Sequence, residues 1–320
     1  KANVQKVGSF SAANAIFYGM KLSDTPIINA HNQHVVGGEI RTDIAGVYSW
    51  KNPNQVPTVA DSNNTGFRVV WTPDASVAQN YNVMDADTWT ATVVVNKANI
   101  LVNTANATEI PKAAIELFYG QPLSQTAIVY KFYNAQLYTM LSRTEEITSM
   151  VQSVTWANPS LVSPVAASAS FAISIRMTDA AKNNFTSDVY TQYLDTNGNP
   201  VDAVASVTIK KAHVNMPGIN SARAINYGQT LSEAGLINNI GGRNPYNATM
   251  TVEGTANYVN GSNIENVKPG GVETQVRFVP SGAEAANYEE TVIQVIVVIN
   301  KTKPVVVVPL LGSVALVTLP

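Results

Sequence analysis

Three stretches of the chain alternate apolar and polar residues with a period of two, and each closes at or near a lysine. The first is Trp89-Thr90-Ala91-Thr92-Val93-Val94-Val95-Asn96-Lys97. Its apolar set of Trp89, Ala91, Val93 and Val95 aligns with Ala203, Ala205, Val207 and Ile209, and again with Ile293, Val295, Val297 and Ile299. Successive strand side chains point to opposite faces, so the pattern predicts a strand with one face turned to a core. A second strand of this kind lies upstream in each case, where Phe67, Val69 and Trp71 match Phe171, Ile173 and Ile175, then Thr274, Val276 and Phe278. Between the two strands stands an asparagine followed by a ring, as Asn80-Tyr81, Asn184-Phe185 and Asn287-Tyr288. A turn-forming Asn before an aromatic predicts a loop locked by a buried ring.

Other landmarks repeat in the same order. Tyr18-Gly19 precedes Leu22-Ser23, Tyr119-Gly120 precedes Leu123-Ser124, and Tyr227-Gly228 precedes Leu231-Ser232, at spacings of 101 and then 108 residues. A period of that size marks tandem copies of one small unit. Trp50 leads into Asn52-Pro53, Trp156 into Asn158-Pro159, and Tyr258 into Asn260-Gly261, each a strand running into a turn with its aromatic expected in the core. Short strands between Asn, Gly and Pro turns predict an all-β fold of β-sandwich units with little helix. The exception is Ala135 to Val151, where Leu137, Met140, Leu141 and Ile147 approach helical spacing. The predicted division is repeat 1 at 1–97, repeat 2 at 98–211 with an insertion around 132–153, repeat 3 at 212–301, and a tail at 302–320.

The order Tyr-Gly-Gln-x-Leu-Ser, Gly-x-x-x-Trp-x-Asn-Pro, Val-x-Trp-Thr-Pro, Asn-Tyr and Val-x-Val-Asn-Lys-Ala resembles the bacterial immunoglobulin-like repeats of the MBG type, which occur in tandem on surface adhesins and S-layer-associated proteins. Essentially the whole chain takes part. The first copy matches best, with Trp71-Thr72-Pro73 and Asn96-Lys97-Ala98 in place; the second departs most, with Met177 at the proline position and Lys210-Lys211 for Asn-Lys. The resemblance implies three tandem immunoglobulin-like sandwich modules in an elongated array, at the extracellular surface of a bacterium. Its motifs are structural and specify a fold rather than a ligand.

Composition agrees with a passive module. Only 13% of residues are charged and the net charge is −2, so neutral polar side chains must confer solubility, and no field attracts nucleic acid or an anionic membrane. The absence of cysteine excludes disulfides, thiolate metal sites and cysteine nucleophiles. Lys1 to Phe10 lacks the apolar core of a signal peptide, and Lys1-Ala2-Asn3 repeats Lys97-Ala98-Asn99, which suggests a mature or excised segment. The apolar tail from Pro304 to Pro320 reads first as the opening strand of a following repeat and second as a strand donated to another subunit. As a membrane span it is just under the usual length, interrupted by Pro309 and Gly312, and with no basic flank after it.

Candidate chemistry is sparse. His31 and His34, with Glu39 and Asp43 downstream, fall in a loop rich in Asn and Gly and lack counterparts in the other copies, so a solvated loop outweighs a zinc site. His213 has no evident partner. Asp195, Asn197 and Asn199 alternate oxygens as calcium loops do, but Gly198 comes too early and Ser206 stands where a glutamate should close the loop; a hairpin turn between Tyr193 and Val201 is the better reading. Asp85 and Asp87 form a second oxygen cluster. Calcium at these residues is thus a candidate, and no other cofactor is expected. No phosphate loop, nucleophile elbow, zinc helix or catalytic carboxylate pair stands out, so no enzymatic activity is expected.

The leading expectation is a structural module of a surface stalk, surface layer or fibre, with neighbouring repeats or copies of the same protein as partners. One alternative is an adhesin gripping a host glycan or protein through loop aromatics such as Tyr130, Tyr133, Tyr138 and Tyr246. Another is a fibre assembled by exchange of the C-terminal tail. Neither nucleic-acid binding nor membrane insertion is expected.

Overall fold

The computed structural model describes residues 1–102, 110–216, 222–237 and 242–304. The tail readings, which rest on residues 305–320, lie outside the described residues. The fold is built almost wholly of β-strands, with a single α-helix, Ala135–Leu141, among the described residues. Two compact units form: one comprises Lys1–Leu117, Pro122–Leu161 and Ser168–Thr208, the other Phe118–Gln121, Val162–Ala167 and the described part of Ile209–Pro320.

In the first unit, one five-stranded sheet runs in the order Ile27–Ile28, Phe10–Ala12, Thr90–Val93, Asn64–Pro73, Gly46–Trp50. Repeat 2 gives the matching order of Ile128–Val129, Lys112–Ala113, Val204–Val207, Ala169–Met177, Val151–Trp156. In the second unit, repeat 3 contributes Thr291–Val297, Val272–Pro280 and Gly254–Tyr258, paired antiparallel in that order. All three repeats therefore share one ladder of closing strand, long central strand and aromatic strand. The period-two faces are buried along it. Trp89, Ala91, Val93 and Val95 lie inside, as do Ala203, Ala205, Val207 and Ile209, and Val295, Val297 and Ile299, while Ile293 is half-buried. Central-strand residues Val69, Trp71, Ile173, Ile175, Val276 and Phe278 are equally covered.

The start of the aromatic strand shows how side-chain size is matched across the ladder. A Cβ on Gly46 would fall 2.3 Å from Trp71 Nε1, and one on Gly254 would fall 2.3 Å from Phe278 Cζ. Each glycine lets the backbone lie flat on a large ring. Repeat 2 has Val151 at this register, opposite Met177, and the ring is replaced by Ile175. Met177, which replaces the proline, is the buried last residue of its strand, and the ladder shifts register by one residue between Val151 and Ser153.

The aromatic strand is tied to the Leu-Ser turn in every repeat. Leu22–Asp24, Leu123–Gln125 and Leu231–Glu233 each form one 3-10 turn with a buried leucine. Trp50 Nε1–H donates to Thr25 O and Trp156 Nε1–H to Thr126 O, both at 2.9 Å; the Tyr258 hydroxyl donates to Ala234 O at 2.8 Å. Trp50 and Trp156 are buried as expected. Tyr258 is only half-buried, a correction to its core placement: its hydroxyl keeps the anchor while the ring stays partly wet.

Several expectations change in the structure. The helix covers only Ala135–Leu141, N-capped by Asn134 and stopped at Ser142, whose φ is 52°. Ile147 is buried beyond it, just before a 3-10 turn, whereas Met140 is 56% exposed. His31 and His34 belong to a strand, His31–Val36, that pairs with Glu39–Thr42 across Gly37 and Gly38, both at positive φ. The Gly-Gly pair makes a hairpin where a loop was expected. Residues three apart on a strand face opposite ways, so the histidines do not converge. Asp195 to Asn199 form the tip of a hairpin in which Tyr193 pairs with Val201.

Candidate functional site: the joints between repeats

The three Tyr-Gly turns are built alike. Gly19, Gly120 and Gly228 have φ of 97°, 98° and 97°, the left-handed region in which a side chain is strained. The tyrosine N–H is tied to the end of its own repeat's closing strand, Tyr18 to Asn96 O at 2.9 Å, Tyr119 to Lys210 O at 2.8 Å, and Tyr227 to Asn300 O at 2.9 Å. Each turn is braced three residues on, by Met20 Sδ accepting from Phe17 N, Gln121 Oε1 from Phe118 N, and Gln229 Oε1 from Asn226 N.

Within the first unit, the first turn holds repeat 2. Asn134 Nδ2 donates to Tyr18 O at 2.7 Å, and its Oδ1 accepts from the Gln136 and Leu137 amides. A Cβ on Gly19 would lie 2.6 Å from that Nδ2 and 3.1 Å from Leu137 Cδ1. The Tyr18 ring meets Phe185 edge-on at 5.7 Å, and Asn184 Oδ1 accepts from Val59 N at 2.9 Å. Ala98, two residues past the closing strand, bridges Phe185. Arg143 adds an ion pair to Asp24.

The second unit contains the same arrangement around the second turn. Asn244 Nδ2 donates to Tyr119 O at 2.8 Å, its Oδ1 accepts from the Tyr246 and Asn247 amides, and a Cβ on Gly120 would lie 2.4 Å from both carboxamide terminal atoms. The Tyr119 ring meets Tyr288 edge-on at 5.3 Å, and Asn287 Oδ1 accepts from Ala166 N at 2.7 Å. Ala212 pairs with Tyr288 in the register that Ala98 takes with Phe185. One element is new: the Tyr119 hydroxyl donates to Glu284 Oε2 at 2.6 Å, and Asn287 Nδ2 donates to the same oxygen. Burial, followed by the Glu284 hydrogen bond and charge, raises the Tyr119 hydroxyl above its ordinary pKa. The two donations hold the Glu284 carboxyl below its own.

A backbone carbonyl, a buried carboxamide, an edge-on ring pair and an asparagine-to-amide bond thus recur twice. The Asn134 and Asn244 carboxamides and the carbonyls they meet are hydrogen-bonded, which is the condition for such a network to hold two elements at a fixed geometry, while the buried Nε of Arg143 has no partner among the described residues.

The other candidates are placed elsewhere or occupied. Asp195 Oδ1 accepts from the Asn197 and Asn199 amides, Asp85 pairs with Lys51 and Arg68, and Asp87 with Arg68. Among the described residues no three His, Asp or Glu side chains converge as metal ligands. His31 pairs with Asp43, and the His34 ring meets Tyr81 edge-on at 5.4 Å. His213 has a partner after all: Glu289, at 3.0 Å, which the parallel pairing of Ala212–His213 with Tyr288–Glu289 brings beside it. Of the tyrosines expected in exposed loops, Tyr133 is buried on a strand and Tyr138 lies half-buried on the helix, because the insertion packs both against Leu101. Tyr130 stacks on Phe132 and Tyr246 on Phe118. Tyr246 is the one of these four rings that combines 42% exposure with a joint location.

The sequence marked Tyr18, Tyr119, Asn184 and Asn287 as landmarks but gave Asn134 and Asn244 no role. Their signal is faint: each follows the Leu-Ser turn within an otherwise variable link and starts a local turn.

No protein-family profile matches the chain, and no curated protein sequence does. Among solved structures, domains 1–6 of the surface layer protein SbsC align at 10% identity and a TM-score of 0.22, over 92% of this chain and 40% of that one. Drosophila N-cadherin EC1-3 aligns at 8% identity and a TM-score of 0.19, over 92% and 89%, and N-cadherin EC1-4 at 8% and 0.18, over 84% and 69%. The chain spans about 40% of the SbsC fragment. Likenesses at these scores carry no functional argument, and the β-rich class rests on the strand pairing itself.

Proposed function

We propose that the chain is a series of three immunoglobulin-like β-sandwich modules serving as a structural segment of a bacterial cell-surface protein, a stalk or part of a surface layer. The observation that carries this reading is the joint that recurs between consecutive repeats. A flexible tether would have no need of a buried carboxamide, a ring pair and an asparagine bond at each boundary. With only one residue, Lys97, between the closing strand at Asn96 and the first bridge at Ala98, the link from repeat 1 into repeat 2 has little slack. The surface location is supported by the MBG-like motifs and by a cysteine-free, weakly charged composition. Protease shaving of intact source cells is expected to release peptides of this chain. Recovery of those peptides only from lysed cells would overturn the surface assignment. A host-binding role is disfavoured by the packing of Tyr133 and Tyr138, and binding of immobilised mucin by the full chain would restore it.

A further inference from the structure

We propose that the Tyr227-Gly228 end of repeat 3 is an open socket for a further β-sandwich repeat joined in series, recognised by an asparagine in a tight turn and by an asparagine-aromatic pair. The inference rests on the serial-module reading above.

The socket is already formed. Ile225–Asn226 pairs with Ile299–Asn300 in parallel as Ile16–Phe17 pairs with Val95–Asn96, and the turn keeps the φ, the backbone bond and the side-chain brace of its two filled counterparts. Among the described residues no carboxamide or ring stands against it as in the other two turns. Gly228 has nothing among the described residues within 4 Å of its Cβ direction, where Gly19 and Gly120 meet a carboxamide. Tyr227 is 50% exposed, against 4% for Tyr119. A recess of about 370 Å³ lies beside it, lined by Tyr227, Asn266, Val267, Lys301 and Thr302. Its lining corresponds to the filled joints. Val267 stands nine residues after Tyr258, as Val59 stands nine after Trp50, and Val59 is the amide that Asn184 takes. Thr302 follows its junction lysine as Ala98 and Ala212 follow theirs, and both of those bridge the aromatic of the docked repeat.

A second copy of the chain is a poorer occupant. In repeat 1 the corresponding ring, Tyr81, is already covered by His34, with its hydroxyl 3.3 Å from His34 Nδ1. Asn32, buried in the same hairpin, is committed to both backbone groups of Ile44 and to the Tyr48 hydroxyl. Repeat 1 thus closes its own end, and the fitting partner is a repeat of the type of 2 or 3.

Tyrosine nitration read by mass spectrometry tests this. The probe is the chain through Lys303 followed in frame by a second copy of residues 212–303, with the appended Tyr227 changed to Phe so that only the original tyrosine reports. In the chain as it stands, Tyr227 is expected to nitrate as an exposed phenol; in the extended chain, roughly tenfold more slowly, as burial in a closed joint dictates. Asn244→Leu in the appended copy alone should restore the fast rate. Equal rates in the two chains would overturn the socket, and an unaltered slow rate with Asn244→Leu would overturn the asparagine recognition. Protection of Tyr227 that grows with concentration in the unextended chain would assign the socket to a second copy instead. Tyr119 separates the two levels of inference: where Tyr227 nitrates equally fast in both chains while Tyr119 stays protected, serial joints stand and only the socket falls, whereas fast nitration of Tyr119 removes both.

Discussion

Substituting alanine at Gly19, Gly120 and Gly228 in turn isolates the energy of a joint from the strain of its turn. All three backbones sit at φ near 97°, so the cost of placing an L-residue there is common to them, about 1–2 kcal/mol. At Gly228 that is the whole cost, since the new methyl meets nothing among the described residues. At Gly120 the methyl collides with Asn244, which is 2% exposed and bonded to Tyr119 O, to two amides and to the Tyr288 hydroxyl. Displacing it strands buried polar atoms at an added cost of about 1–3 kcal/mol. At Gly19 the collision is with Asn134 and Leu137, with a similar added cost. Native-state hydrogen exchange on the full chain, read at the Tyr18, Tyr119 and Tyr227 amides, measures each locally. Loss of protection should be about 5- to 150-fold greater at Gly19→Ala and Gly120→Ala than at Gly228→Ala, the ratio that 1–3 kcal/mol gives. Equal losses at the three sites would refute the claim that Asn134 and Asn244 stabilise joints.

Three further outcomes are expected. The Glu284 carboxyl is held low by Tyr119 and Asn287, so its contribution is present above its unfolded pKa and lost as pH falls through its lower folded value; the raised Tyr119 contributes below its unfolded pKa and is lost as pH rises through its folded one. Protection of the Tyr119 amide should therefore be flat from about pH 5 to 9 and fall on either side, with Glu284→Gln removing the acid limb. Trp156→Phe removes the donor to Thr126 O and leaves a void, costing about 1–3 kcal/mol in urea unfolding, while Tyr258→Phe removes only a hydroxyl and costs about 1 kcal/mol; equal costs would contradict the anchoring scheme. Calcium at about 5 mM should move the melting temperature by less than about 1 °C, because Asp195, Asp85 and Asp87 are committed to protein partners; a rise of several degrees would reinstate a calcium site.

Local patterning made the strands legible. The alternation of Trp89, Ala91, Val93 and Val95 is enough to assign a strand and its inner face, because burial on one side of a sheet demands a period of two. Asn-Gly at 197–198 was read as a hairpin for a similarly local reason, its left-handed glycine. What was not legible is the purpose of Tyr-Gly, because the group that demands the glycine is Asn134, 116 residues from Tyr18. Nor was the partner of His213, which depends on a parallel strand 76 residues away in the numbering. Repeat 2 illustrates a middle case: Val151 and Ile175 stand where the other repeats have a glycine and a ring, and the one-residue register shift after Val151 is a pairing detail that no local pattern shows.

The central claim is that three modules fold separately and are joined by discrete contacts, and pulling the full chain by its ends tests it most directly. Repeats 1–97, 98–211 and 212–301 should unfold in three events that release about 34, 40 and 32 nm of chain at roughly 3.5 Å per residue, less the folded length of each. A single event of about 74 nm that releases repeats 1 and 2 together would contradict it.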